Sequence, residues 1–205
     1  MTQHTVTSIE QLEAIYGQPA GAAVWKEIDH INDGYRAFIE AAPFIALSTC
    51  GPEGVDCSPR GDEPGFVRAA DARTLMIPDR RGNNRIDSLR NIVRDPRVSL
   101  LFLVPGVGET IRVIGRASIS TDPALLESFI FAGKTPRSVL VVAVESVYFQ
   151  CSKAIIRSKL WDPSRLIERA SLPSNGTIIA EITRGKEGGA EYDRAYPERL
   201  KATIY

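Results

Sequence analysis

The residues best equipped for chemistry lie between Asp79 and Arg97, in the run DRRGNNRIDSLRNIVRDPR. It holds six arginines, at 80, 81, 85, 90, 94 and 97, in a chain whose 25 Lys+Arg balance 25 Asp+Glu. A local excess of guanidinium groups suits an anion, most simply a phosphate. Ile86, Leu89 and Val93 recur at i, i+3 and i+7 and predict a helix over 83–94 with Asn83 as its N-cap. The backbone N–H groups of Asn84, Arg85 and Ile86 would then be free. Arg85 would stand in the first turn, where the helix dipole opposes a cation by a few tenths to ~1 kcal/mol. A bound anion would turn that repulsion into a site. A solvated helix face is the plainer reading of the same charges.

Two weaker signals flank this window. Ser58-Pro59-Arg60-Gly61-Asp62-Glu63-Pro64-Gly65 follows a strand-like run and places Arg60 at a strand end, in a ligand contact or an ordinary turn with a surface ion pair. Gly106-Val107-Gly108-Glu109-Thr110-Ile111-Arg112 has two glycines but no GxGxxG and no strand–turn–helix context, which excludes a Rossmann fingerprint. On a strand, Thr110 and Arg112 share one face, as a ligand contact or an exposed rim.

Catalysts of the usual kinds are scarce. His4 and His30 are the only histidines, both lie in the N-terminal segment, and no GxSxG occurs, which argues against a Ser–His–Asp hydrolase. Cys50, Cys57 and Cys151 form no CxxC and no metal-ligand spacing, so no metal is expected. They read as small buried residues. With Pro52 and Glu53 as turn residues, Cys50 faces Val55 and Cys57 faces Ser48, which disfavours a Cys50–Cys57 disulfide. No residue stands out as catalytic.

The elements that must position these groups follow from pattern. The chain has 205 residues, 43% of them hydrophobic and 24% charged, with a formal net charge of zero. That suffices for one buried domain and excludes wholesale disorder. Neutrality argues against nucleic acid or an anionic membrane as partner. No apolar stretch reaches a membrane span and no secretory leader is visible, so a reduced, cytoplasmic chain is expected.

Helices are predicted at 8–16, with Ser8 as cap and Gly17 as stop, and at 22–31 and 33–41. Short strands follow at 44–49, 55–60 and 73–77. Beyond the 83–94 helix come a strand at 98–104, apolar enough to be buried on both faces, and one at 110–119 that Gly115 bends or bulges. A helix over 123–131, a buried strand from Val139 towards Cys151, a short helix at 164–170, a strand at 178–183 and a polar end complete the chain. This is an α+β rhythm, a small and mostly antiparallel barrel with flanking helices. The parts are an N-terminal helical extension (1–42), the barrel (43–163) and a C-terminal helix/strand extension on the same domain (164–205).

Four segments in this order, SPRGDEPGFVR, TLMIPDRRGNNRIDSLRNI, DPRVSLLFLVPGVGETIRVIGRA and VYFQCSKAIIRSKLWDP, resemble the pyridoxamine 5′-phosphate oxidase-like family, in its FMN-dependent branch. The resemblance runs from about His30 to Pro163. It implies a split β-barrel that forms a homodimer, with FMN held in two clefts between subunits. Arg60 matches the family's early-strand arginine, Ile77, Pro78 and Asp79 its following loop, and Asn84 and Arg85, behind Asn83, its helix start. Thr110 stands where the family carries a glutamine that contacts FMN from the other subunit. Of the family's substrate-binding C-terminal tract, only Lys153, Arg157, Lys159 and Trp161 remain, so the resemblance supplies a cofactor and not a substrate. It implies an FMN-dependent oxidoreductase for a small molecule. The alternative is a flavin or deazaflavin carrier or sensor without turnover.

Overall fold

The computed structural model describes residues 4–205. Three helices come first: α1 (Ile9–Tyr16), α2 (Ala22–Trp25) and α3 (Asp33–Ala41). Ser8 Oγ accepts from Gln11 N at 3.3 Å and starts α1. Gly17, at φ 71°, ends it, a backbone angle that favours glycine. The helix expected over 22–31 stops at Trp25, because Ile28 exchanges two backbone hydrogen bonds with Val147 instead. Asn32 caps α3 by accepting from Tyr35 N at 2.8 Å, and α3 buries Tyr35 and Ile39.

Seven strands follow: β1 (Phe44–Gly51), β2 (Gly54–Gly61), β3 (Arg68–Ala69), β4 (Thr74–Asp79), β5 (Arg97–Leu103), β6 (Thr110–Ser120) and β7 (Ser138–Gln150). They form one antiparallel sheet in the order β2-β1-β5-β6-β7-β4-β3. The fold is α+β, of the split-barrel type. Alternate residues of the strands point inward, so Ile45 and Leu47, Leu100 and Phe102, and Leu75 and Ile77 fill one core. Strand β5 is fully buried on one face and half-buried on the other, not buried on both as its composition predicts. Cys50 pairs with Val55 and Cys57 with Ser48, the register the turn at Pro52 and Glu53 predicts. The β6–β7 register shifts at Ile114/Gly115, where the glycine was expected to bulge. A Cβ on Gly115 would lie 2.2 Å from the carbonyl oxygen of Ala143.

Helix α4 (Asp87–Arg94) begins four residues later than predicted. Asn83 is not its cap: Asn83 Oδ1 accepts from Arg85 N at 3.1 Å in a local turn. Ile86 precedes the helix in a left-handed conformation, at φ 50°, and places no side-chain oxygen on it. The apolar stripe differs as well. Ile86 and Val93 are exposed, whereas Ser88 and Ile92 are buried. A polar ladder selects that face: Ser88 Oγ donates to Asp56 Oδ2 at 2.8 Å, and Asn91 Nδ2 donates to Thr49 Oγ1 at 3.1 Å. Both bonds dock the helix on the β1–β2 hairpin, and losing either would strand a polar group in the contact.

Helix α5 (Pro123–Ser128) ends before Phe131, and α6 (Lys153–Ser158) follows β7. Residues 164–170 hold parts of two 3₁₀ turns rather than one helix. The strand expected over 178–183 is helix α7 (Asn175–Ile182), and the polar end is helix α8 (Gly189–Thr203). Tertiary contacts override the β-branched composition of α7. Ser174 caps it by accepting from Thr177 N at 3.0 Å, while Asp193 of α8 accepts from Ser174 Oγ at 2.5 Å and from Gly176 N at 2.8 Å. Among the described residues no helix is long and apolar enough to cross a membrane.

Candidate functional site

The site sits where the two ends of the sheet approach each other. Strand β2 is one edge, and β4 lies next to the other edge. Curling of the sheet brings the end of β2 to the end of β4, so Arg60 Nε lies 3.8 Å from Asp79 Oδ1. One residue further along each strand, Arg80 Nε donates to Asp62 Oδ2 at 2.7 Å. Each end of the sheet thus supplies one arginine and one aspartate to the other.

Above these pairs opens a cleft of about 420 Å³, within the size range of small-molecule sites. Its walls include Arg60, Pro78 and Asp79 from the strand ends and Asn83 and Asn84 from the loop before α4. Four of those five were single candidates in the resemblance, and Asn83 came from the capping argument. Ile77 stands behind them in the core.

The other candidates lie elsewhere. Arg85 donates to Asp87 at 2.7 Å, its side chain is 79% exposed, and it borders a different recess with Arg90 and Arg94. It is therefore neither in a first helical turn nor on the cleft wall. Thr110 is buried at the start of β6, opposite Gln150. Trp161 donates its indole N–H to the Val107 carbonyl at 2.7 Å beside a recess between the β5–β6 connection and α6, and Lys153 is exposed at the start of α6. None of these three lines the Arg60 cleft.

The structure adds residues that the sequence reading did not single out. Arg137, just ahead of β7, lines the cleft and donates to Asn84 Oδ1 at 2.9 Å. Its position between Pro136 and an apolar strand is the only sequence signal for it. Ile204 and Tyr205 reach the same wall from beyond α8, and no sequence pattern announces that return.

The electrostatics separate structural from available charge. Asp62 is 1% exposed and also accepts from the Tyr205 hydroxyl at 3.0 Å, while Arg80 donates again to the Phe129 carbonyl at 2.7 Å. This arginine is fully committed within the chain. Arg60 is half committed, to Asp79 and to the Pro59 carbonyl at 2.9 Å. Arg81 has no partner among the described residues, nor do the backbone N–H groups of residues 81–84 find an acceptor there. Asp79 is held above the ordinary carboxylate range by burial, with Arg60 and Arg137 pulling it back down. Free cationic and N–H donors around a concave wall are what a phosphate requires. No cluster of metal-ligating side chains occurs among the described residues.

Residues 31–151, more than half of the chain, match the family model for pyridoxamine 5′-phosphate oxidase. No curated protein sequence matches. Solved structures with a similar fold include HupZ of Group A Streptococcus, at 18% identity and TM-score 0.49, over 60% of this chain and 95% of that one. An F420 reductase is 19% identical with TM-score 0.42, over 58% and 98% of the two chains. An FMN-binding protein from Syntrophomonas wolfei is 13% identical with TM-score 0.43, over 56% and 82%.

Proposed function

The chain belongs to the pyridoxamine 5′-phosphate oxidase family, and from that membership we propose that it binds FMN in the Arg60 cleft and acts as an oxidoreductase on a small molecule. The observation that carries this reading is the uncommitted guanidinium of Arg81, beside free backbone N–H groups on the wall of the cleft. Arg81, Arg137 and Arg60 hold the phosphate, and Asn83 and Asn84 bound it on the loop side. Pro78 and the backbone of Ile77 and Asp79 form the neighbouring wall. Bound FMN supplies hydride transfer, so the protein need not carry a conspicuous acid or base. Thr110, Lys153 and Trp161, which this chain holds away from its own cleft, serve the cleft of a second copy in a homodimer.

Purified protein that is yellow, or that becomes so on adding FMN, supports the reading. Colourless protein that takes up no FMN from solution overturns it.

A second reading keeps the cofactor without turnover, as a flavin or deazaflavin carrier. It is favoured by the absence of histidine from the cleft wall, His30 being engaged with Asp29 at 2.9 Å on the surface. Reduction by NAD(P)H followed by rapid reoxidation with candidate acceptors separates the two. A bound flavin that exchanges electrons with no donor favours the carrier.

A further inference from the structure

Tyr205 joins two recesses. It lines the 420 Å³ cleft and also an adjoining recess of about 350 Å³ that contains Phe131 and Lys134. Arg80, Arg81 and Arg137 are common to both walls. The only cation there without a partner among the described residues, Arg81, therefore stands at the boundary between the two spaces.

Three independent contacts hold Tyr205 at that boundary. Its hydroxyl donates to Asp62 at 3.0 Å, its ring centroid lies 4.8 Å from that of Phe131, and its backbone oxygen accepts from Lys134 Nζ at 2.8 Å. The segments it meets come from three separate parts of the chain, so the tail is anchored and not simply laid on the surface. Burial and the Asp62 bond both push the phenol up from its ordinary value, which keeps the hydroxyl a donor at neutral pH.

We propose that Tyr205 is a specificity-determining residue: it partitions the two recesses, so that the cleft admits a ligand ending in a phosphate monoester and rejects one whose phosphate is esterified onward. The proposal rests on the flavin reading above. A phosphate monoester finishes at Arg81 and Arg137. A phosphate diester carries its second substituent past that point, into space the Tyr205 ring occupies. The recess behind the ring is large enough to receive part of such a substituent once the ring is gone, and Arg80, Arg81, Lys134 and Arg137 would favour an anionic one.

The test titrates FMN and FAD separately into the full chain and into Tyr205→Ala, with the chain lacking Ile204 and Tyr205 as a second variant, and reads quenching of flavin fluorescence. The wild-type chain should prefer FMN over FAD by about tenfold or more, and both variants should narrow that preference to about threefold or less by gaining FAD, not by losing FMN. Wild-type protein that binds FMN and FAD equally overturns the partition and leaves the flavin reading standing. So does an unchanged preference in the variants. Wild-type protein that binds neither flavin overturns the flavin reading and the partition with it.

Discussion

Arg80 donates its Nε to Asp62 across the split of the barrel at 2.7 Å, and Asp62 is 1% exposed. The pair ties the residue after β2 to the residue after β4, strands that are not neighbours in the sheet. Beside it, Arg60 and Asp79 form the reverse pair at 3.8 Å, longer and more open. The short pair closes the fold and the long pair faces the cleft. A charge in the first is structural. A charge in the second is free to exchange its partner for a ligand.

This division predicts opposite phenotypes for adjacent arginines. Arg80→Ala leaves the Asp62 carboxylate buried with only the Tyr205 hydroxyl as donor, at a cost of about 2–4 kcal/mol. Arg81→Ala removes no bond within the chain and should shift stability by less than about 0.5 kcal/mol. Denaturant melts of the two variants against wild type check this. Equal losses would show that Arg81 also holds the fold.

Arg81 and Arg85 should separate in the same way on binding. A charge-assisted hydrogen bond of ~1.5–3 kcal/mol corresponds to a loss of roughly one to two orders of magnitude in affinity. Arg81→Ala should therefore weaken FMN by that factor, and riboflavin, which has no phosphate, much less. Arg85→Ala should change FMN affinity by less than about threefold, because its guanidinium is spent on Asp87 outside the cleft wall. If Arg85→Ala produces the larger loss, the phosphate lies at the recess beside α4.

The β-rich middle of the chain was legible because its signals are local. Alternation, the Pro52-Glu53 turn and Gly115 each fixed a register or an irregularity found in the structure. The start of α4 was not legible in the same way. Asn83 has the right side chain for a cap, but Asn84 and Ile86 turn left-handed, and the helix face is selected by Asp56 and Thr49, some thirty or more residues away. Strand propensity at Thr177-Ile178-Ile179 likewise lost to Asp193, which reinforces the Ser174 cap from α8. In the site, Arg60 and the loop at 77–79 were legible through resemblance. Tyr205 was not, because the contact to Asp62 spans 143 residues and leaves no periodicity in the sequence.

Gly115 offers a test of the bulge alone. A methyl group there would sit 2.2 Å from the Ala143 carbonyl oxygen, a backbone atom that cannot rotate away. Gly115→Ala should cost about 2–3 kcal/mol by forcing β6 and β7 apart or changing their register. Thermal melts show the loss. A variant as stable as wild type would mean that the bulge accommodates a side chain.

Assembly is testable without any ligand. The second face of β5 is only half-buried within one chain, at Leu101 and Leu103, while Val55 and Trp25 are exposed elsewhere on its surface. Apolar surface of this kind is ordinarily covered by another subunit. Light scattering should give about twice the chain mass of 22.5 kDa. A mass equal to that of one chain would refute the homodimer and leave Thr110, Lys153 and Trp161 without a cleft to serve.

Asp79 makes the sharpest use of pH. Burial raises its carboxyl above the ordinary value of 3.8, against the pull of Arg60 and Arg137. The folded chain therefore holds this proton more tightly than the unfolded chain, so the stability linked to Asp79 is fully present below the unfolded value and is lost as pH rises through the folded one. Asp79→Asn, which cannot ionise, should match wild-type stability in acid and equal or exceed it at neutral pH. Binding shifts in the same sense. The ionised carboxylate competes for Arg60 and repels a phosphate dianion, so Asp79→Asn should tighten FMN by about three- to tenfold at neutral pH. That gain should shrink below about pH 6, where the phosphate itself takes up a proton. Melts and FMN titrations of both proteins across the same pH series decide it. Weaker FMN binding by Asp79→Asn at neutral pH would mean that the carboxylate orients Arg60 for the phosphate and does not compete for it.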